Sequence, residues 1–190
     1  PKGRGELAKV PMQTVSVIVP VRNEAKAIEP TLRALLAQNY PRDRYEVLVA
    51  DGCSDDETVP VVRRLQAEFP NLTLLYNPRR LASAGRNVGL RHMVGDVAVI
   101  VDGHCVVPTA DYLGTLVAAF RASGADSLAR PQPLDAPAAT PFQKAVAVAR
   151  QSRLGHNPHS DIFCDEPKMV DPSNTAVAYT RETIRRVGLF

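Results

Sequence analysis

Several polar residues in this chain follow directly on short apolar runs, and their types suit a phosphate-bearing ligand. Arg22, Asn23 and Glu24 come after VSVIVPV, Asp51 after YEVLVA, and Asp102-Gly103-His104 after VAVIV. On extended chain, residues i and i+2 point the same way, so the carboxylate of Asp102 and the imidazole of His104 can share one divalent cation. An oxygen-plus-nitrogen donor set suits Mn²⁺ and suits Mg²⁺ less well. A diphosphate calls for such an ion: at ~4 Å and intermediate dielectric, each unit-charge pair is worth ~4 kcal/mol. The same ion stabilises charge on a departing phosphate. Taken alone, the tripeptide reads as a turn aspartate beside a surface histidine. Its place level with two other strand ends favours the metal reading.

Asp51, the first polar residue after its run, can accept an N–H from a uracil or guanine ring. Asp55 and Asp56 read as acids of a turn and helix cap, and Cys53 as a small packing residue. Arg80 and Arg86 flank or lie in a small-residue helix, and their guanidinium groups match phosphate oxygens; Arg79 reads as solvated. Gly85 and Gly89 suit close packing of that helix on a sheet. Neither GxGxxG nor GxxxxGK[ST] occurs, which weighs against dinucleotide oxidoreductases and P-loop enzymes. His156, His159, Asp161, Asp165 and Glu166 match no zinc spacing and read as a polar loop.

The elements that must carry these residues alternate. Val15–Val21 reads as a buried strand. Ile28, Leu32, Leu35 and Leu36 recur at helical spacing, ending near Pro41. Tyr45–Ala50 is a second strand, and Ser54 to Glu57 has the form of a capping box, although Pro60 conflicts with so early a start. Leu72–Tyr76 is a third strand, Ala82–His92 a helix, Val97–Val101 a fourth strand and Asp111–Phe120 a helix. Such alternation predicts a mostly parallel sheet, with ligands bound beyond the carboxyl ends of its strands. After residue 122 a Pro-rich passage leads to a helix at Phe142–Arg153, a strand at Asn174–Tyr179 and a helix at Arg181–Val187 closed by Gly188.

Composition narrows the class. With 190 residues, 45% hydrophobic and 23% charged, the chain suits one domain with a sizeable core. A net charge of +3 is too small to argue for nucleic acid. Three cysteines without a CxxC pair predict neither disulfides nor zinc and fit a reducing compartment. No apolar run is long enough to cross a membrane. The first residue is not Met and the last is Phe190, so both ends read as cuts in something longer.

VSVIVPVRNE, VADGCSDDET, SAGRNVGL and VDGH occur in that order, and together they resemble family 2 glycosyltransferases. The likeness covers roughly residues 14–190 and extends to bacterial exopolysaccharide glucosyltransferases of the succinoglycan type, through Pro141–Gln143 and Ser152–Gly155. It implies a GT-A fold in a single domain over residues 1–190. Residues 14–121 would form the nucleotide-sugar-binding half, and 122–190 the start of an incomplete acceptor-side half. It also implies a nucleotide-sugar donor, commonly UDP-linked, and a saccharide or lipid-linked acceptor. Pro20, Arg22 and Glu24 would border the nucleoside, Asp51 the base, and Asp102 the ribose and the metal, Mn²⁺ or Mg²⁺. The family's usual Asp-x-Asp stands here as Asp102-Gly103-His104. Its aspartate base is expected beyond Phe190, with Asp165, Glu166 and Asp171 as weaker substitutes. The expected location is cytoplasmic, with any membrane tether outside these residues. Against an inverting, metal-dependent transferase stand a non-catalytic nucleotide- or sugar-binding module and, last, a sugar nucleotidyltransferase.

Overall fold

In the computed structural model of the chain, the described residues are 13–107, 109–130, 140–152, 154–155, 166, 168–169 and 176–190. The β-branched run Val15–Val21 forms strand β1, with all seven residues buried. Beside it run β2 (Tyr45–Asp51), β3 (Leu72–Tyr76) and β4 (Val97–Ile100) in the order β3-β2-β1-β4, all parallel. A parallel strand covered on both faces needs no polar alternation, which is why β1 and β2 read as unbroken apolar runs.

Each strand is followed by a helix: α1 (Ile28–Leu36), α2 (Thr58–Glu68), α3 (Ala82–His92) and α4 (Tyr112–Ser123). Val15, Val17 and Val19 of β1 pack with Leu32 and Leu35 of α1, Leu65 of α2 and Leu113 of α4. Ile18, pointing the other way, joins Leu90 of α3, Leu48 and Met93. The result is three layers with β1 at the centre. Gly124, at φ 61°, closes α4 in the left-handed conformation a C-cap requires.

The second half extends the same sheet differently. Strand β6 (Ala176–Thr180) runs antiparallel to β4, and β5 (Ser127–Ala129), which has no clear mark in the sequence, runs antiparallel to β6. Helix α6 (Arg181–Val187) follows β6 directly. Its Arg181 donates from Nε to the Gly95 carbonyl at 2.9 Å and from Nη2 to the Met93 carbonyl at 3.3 Å, tying it to the amino end of β4. Helix α5 (Pro141–Gln151) begins within a residue of its expected start.

Two local expectations change. No capping box opens α2: the helix starts at Thr58 without a side-chain cap, because Ser54 is engaged by Asp51 instead. Pro60 then falls in the first turn, where its missing N–H costs nothing. A true capping box occurs at α5, where Thr140 and Gln143 bond each other's backbone. Arg153, His156, His159, Asp161, Asp165 and Asp171 lie outside the described residues.

Candidate functional site

The loops after β1 and β2 are stitched together at the carboxyl edge of the sheet. Asn23 donates from its backbone N to Ser54 Oγ at 2.9 Å and from Nδ2 to Asp55 Oδ1 at 2.8 Å, and its Oδ1 accepts from the Asp55 backbone N at 3.0 Å. Thr58 Oγ1 accepts from Glu24 N at 2.8 Å, and Asp56 Oδ2 from Ala25 N at 3.1 Å. The Thr58 hydroxyl donates to Asp56, which holds that carboxyl below its ordinary 3.8. The acids read as a turn and cap thus clamp one strand end to the next.

Backbone in an unfavourable region gathers at this edge. Asn23 (φ 57°), Cys53 (φ 56°) and Arg80 (φ 60°) adopt left-handed conformations, one just after each of β1, β2 and β3. Such residues cost of order 1–3 kcal/mol each and persist only where their surroundings over-determine them. All three lie on the side of the sheet where a parallel fold binds ligands.

Opposite them, the chain leaving β4 folds into a tight turn. Cys105 N donates to the Asp102 carbonyl at 3.0 Å, and Thr31 of α1 anchors the turn by donating to the Cys105 carbonyl at 2.9 Å. Asp102 and His104 are therefore not held on one side by extended chain, as expected. β4 ends at Ile100, and the turn brings both residues to the same cleft. Gly103 makes this possible: a Cβ there would lie 2.7 Å from Val21 Cγ1, so only glycine lets the turn rest on the end of β1. That contact carries His104 to Glu24, with Nδ1 at 2.9 Å from Oε1. A carboxylate only accepts, so Nδ1 is the donor in this contact and Nε2 is the ring nitrogen left for another partner.

The cleft holds about 230 Å³ and is lined by Pro20, Arg22, Glu24, Arg80, Asp102 and His104 of the expected residues. This is below the ~300 Å³ at which small-molecule sites begin, so the described residues supply one wall rather than a full enclosure. Val21 and Gly103 also line it, as do Asn77, Leu81 and Ala82, which carry no chemical signal in the sequence. The only signal for Asn77 was its place one residue past β3, the rule already applied to the other strands.

Two expected residues are placed elsewhere. Asp51 is 5% exposed and absent from the lining; its Oδ1 and Oδ2 accept from Ser54 Oγ and Ser54 N at 2.5 and 3.1 Å. Arg86 turns away from the cleft, its guanidinium 5.6 Å from the centre of the Phe190 ring. There it joins Asn87, whose Oδ1 accepts from Phe190 N at 2.9 Å and whose Nδ2 donates to Phe190 O at 2.5 Å.

Among the described residues no three His, Cys, Asp or Glu side chains stand close enough to form a closed metal site. Asp102 and His104, both exposed on one cleft, fit the other type of site, in which a cation is shared between two protein donors and the phosphates of its ligand.

Residues 16–187 match the family model described as glycosyl transferase family 2. The chain belongs to that family. It is 34% identical over 142 residues to succinoglycan biosynthesis protein ExoA of Rhizobium meliloti, covering 74% of this chain and 42% of that protein. In structure it is similar to mannosyltransferase PcManGT of Pyrobaculum calidifontis in complex with GDP-Man and Mn²⁺ (TM-score 0.65, 30% identity, 95% of this chain and 48% of that one). It is also similar to Staphylococcus aureus TarS 1–349 in complex with UDP-GlcNAc (TM-score 0.56, 26% identity, 67% of this chain and 37% of that one). The mixed sheet with flanking helices is the GT-A fold expected of the family. The chain spans less than half the length of these relatives.

Proposed function

We propose that this family 2 domain binds a nucleotide-diphospho-sugar, uridine-linked, in the cleft at the carboxyl ends of β1, β3 and β4, with a divalent cation at Asp102 and His104. The observation that carries the reading is the contact between Glu24 and His104. It unites two strand ends 80 residues apart and holds His104 in the same cleft as the Asp102 carboxylate. A bound Mn²⁺ there would offset charge on the diphosphate. Arg22 and Arg80, both exposed at the rim, supply fixed positive charge for the same phosphates, while Pro20 and Glu24 border the nucleoside.

In the full protein the reaction is an inverting displacement. An acceptor hydroxyl of a saccharide or lipid-linked sugar attacks the anomeric carbon, the bond from that carbon to the phosphate oxygen breaks, and the nucleoside diphosphate leaves with the electron pair. The hydroxyl proton passes to a carboxylate that the family resemblance places past Phe190. The relatives solved with GDP-Man and UDP-GlcNAc support a nucleotide-sugar donor. The setting is polysaccharide or glycolipid assembly, a reading supported by the likeness to succinoglycan biosynthesis protein ExoA.

The test is thermal unfolding with UDP-glucose, with and without Mn²⁺. At a hundredfold excess over Kd the ligand adds ~2.7 kcal/mol, or about 5–10 °C in Tm for a domain of this size. The rise should require the metal and vanish in Asp102→Ala and His104→Ala. No metal-dependent rise with UDP, GDP or TDP sugars alike would end the proposal. Donor binding without transfer by the full protein would instead identify a binding module.

A further inference from the structure

Helix α5 is unusual for a globular domain. Every residue from Pro141 to Gln151 is exposed except Ala147, which is partly so. Phe142, Val146 and Val148 are 78%, 40% and 70% exposed. An isolated helix of this length is marginal in water, so its apolar side calls for a partner. The residues are arranged for one. Phe142, Ala145, Val146 and Ala149 recur at i, i+3, i+4 and i+7 along a single stripe. Arg150 borders the stripe one turn beyond Val146, Lys144 lies on the opposite side near Val148, and the helix contains no acidic residue. Among the described residues neither cation has an ion-pair partner.

We propose that α5 is a membrane-surface helix, lying in the interface of an anionic bilayer with Phe142 and Val146 among the acyl chains and Lys144 and Arg150 at the headgroups. The chemistry chooses this occupant. A bilayer rich in acidic lipid complements both features, taking Phe142 and Val146 among its acyl chains and Arg150 and Lys144 at its headgroups. No described helix is long and apolar enough to cross a membrane, so α5 would attach the domain peripherally. This inference stands on α5 and is independent of the nucleotide reading.

The experiment is co-sedimentation of the intact chain with vesicles of phosphatidylglycerol and phosphatidylcholine, and with phosphatidylcholine alone. Binding is expected to the mixed vesicles only, and to weaken as salt is raised. Phe142→Glu and the double variant Lys144→Glu, Arg150→Glu should each reduce the bound fraction at least several-fold. Both variants should keep the wild-type far-UV spectrum and Tm, since α5 is not packed in the core. No binding to acidic vesicles overturns the proposal, and so does binding that neither variant reduces. A wild-type dimer in sedimentation velocity that Phe142→Glu converts to monomer assigns the stripe to a second copy and equally overturns it. Protection of α5 from hydrogen exchange in the full-length protein without lipid has the same force, because the rest of the chain would then cover it.

Discussion

From Val15 to Phe120 the chain buries apolar residues on both faces of a parallel sheet, whereas from Gly124 onward Ala178 is the single buried residue among those described. The two regions share one sheet and differ in how they are held. In the first, four strands are enclosed by helices, and the loops at their carboxyl ends are bound to each other side chain by side chain. In the second, antiparallel strands lie at the sheet edge, and the helices keep exposed apolar faces. The proposed site, which would have to place phosphates and a metal within fractions of an ångström, lies on the enclosed half. The half with uncovered surface is free to meet large partners.

The sharpest test of this contrast is a truncation in the enclosed half. Leu35→Ala, fully buried between α1 and the sheet, should cost about 2–5 kcal/mol in urea unfolding. A loss under 1 kcal/mol would mean the first half is not the stable one. Next comes Gly89→Ala, whose Cβ would sit 2.4 Å from Ile18 Cγ2, where α3 meets β1. Overpacking of this kind should cost about 1–3 kcal/mol and lower Tm. Asn23→Ala removes two side-chain hydrogen bonds of the loop clamp and leaves alanine at φ 57°. About 1–2 kcal/mol is expected, with Asn23→Gly milder because glycine accepts that φ.

A pH series sharpens the same point. The folded pKa of Asp56 is depressed, so its contribution is present above the unfolded value of about 3.8 and is lost as pH falls through the folded value. Asp56→Asn should lower stability at neutral pH and flatten the acid limb, so that the two curves converge as pH falls, as measured by urea midpoints between about pH 2 and 7. Smallest of all, Val148→Ala in α5 should stay within about 0.5 kcal/mol of wild type. A larger loss would show that α5 is packed after all.

Much of the fold was legible because a parallel strand announces itself locally. VSVIVPV, YEVLVA and VAVIV are too apolar and too β-branched for anything but buried strands, and each ends abruptly in a polar residue. The capping box at Ser54 was misread because the pattern S-x-x-E is satisfied by composition, while the serine hydroxyl had a nearer acceptor in Asp51. Strand β5 was missed because three residues, Ser127–Ala129, carry too little periodicity to register. For the site, six of the eight residues expected to bind ligand line one cleft. Asp51 and Arg86 do not, since both found partners inside the domain, Ser54 in one case and the Phe190 ring in the other.

The residues by themselves determined which segments are buried strands and which polar groups stand at their ends, because apolar periodicity and turn chemistry are local properties of a chain. Tertiary structure alone decided that β4 would lie beside β1, that Gly103 would seat a turn against Val21, and that His104 would meet Glu24 across 80 positions. Strand order and the pairing of distant side chains depend on contacts made only after the sheet has assembled, and no local pattern encodes them.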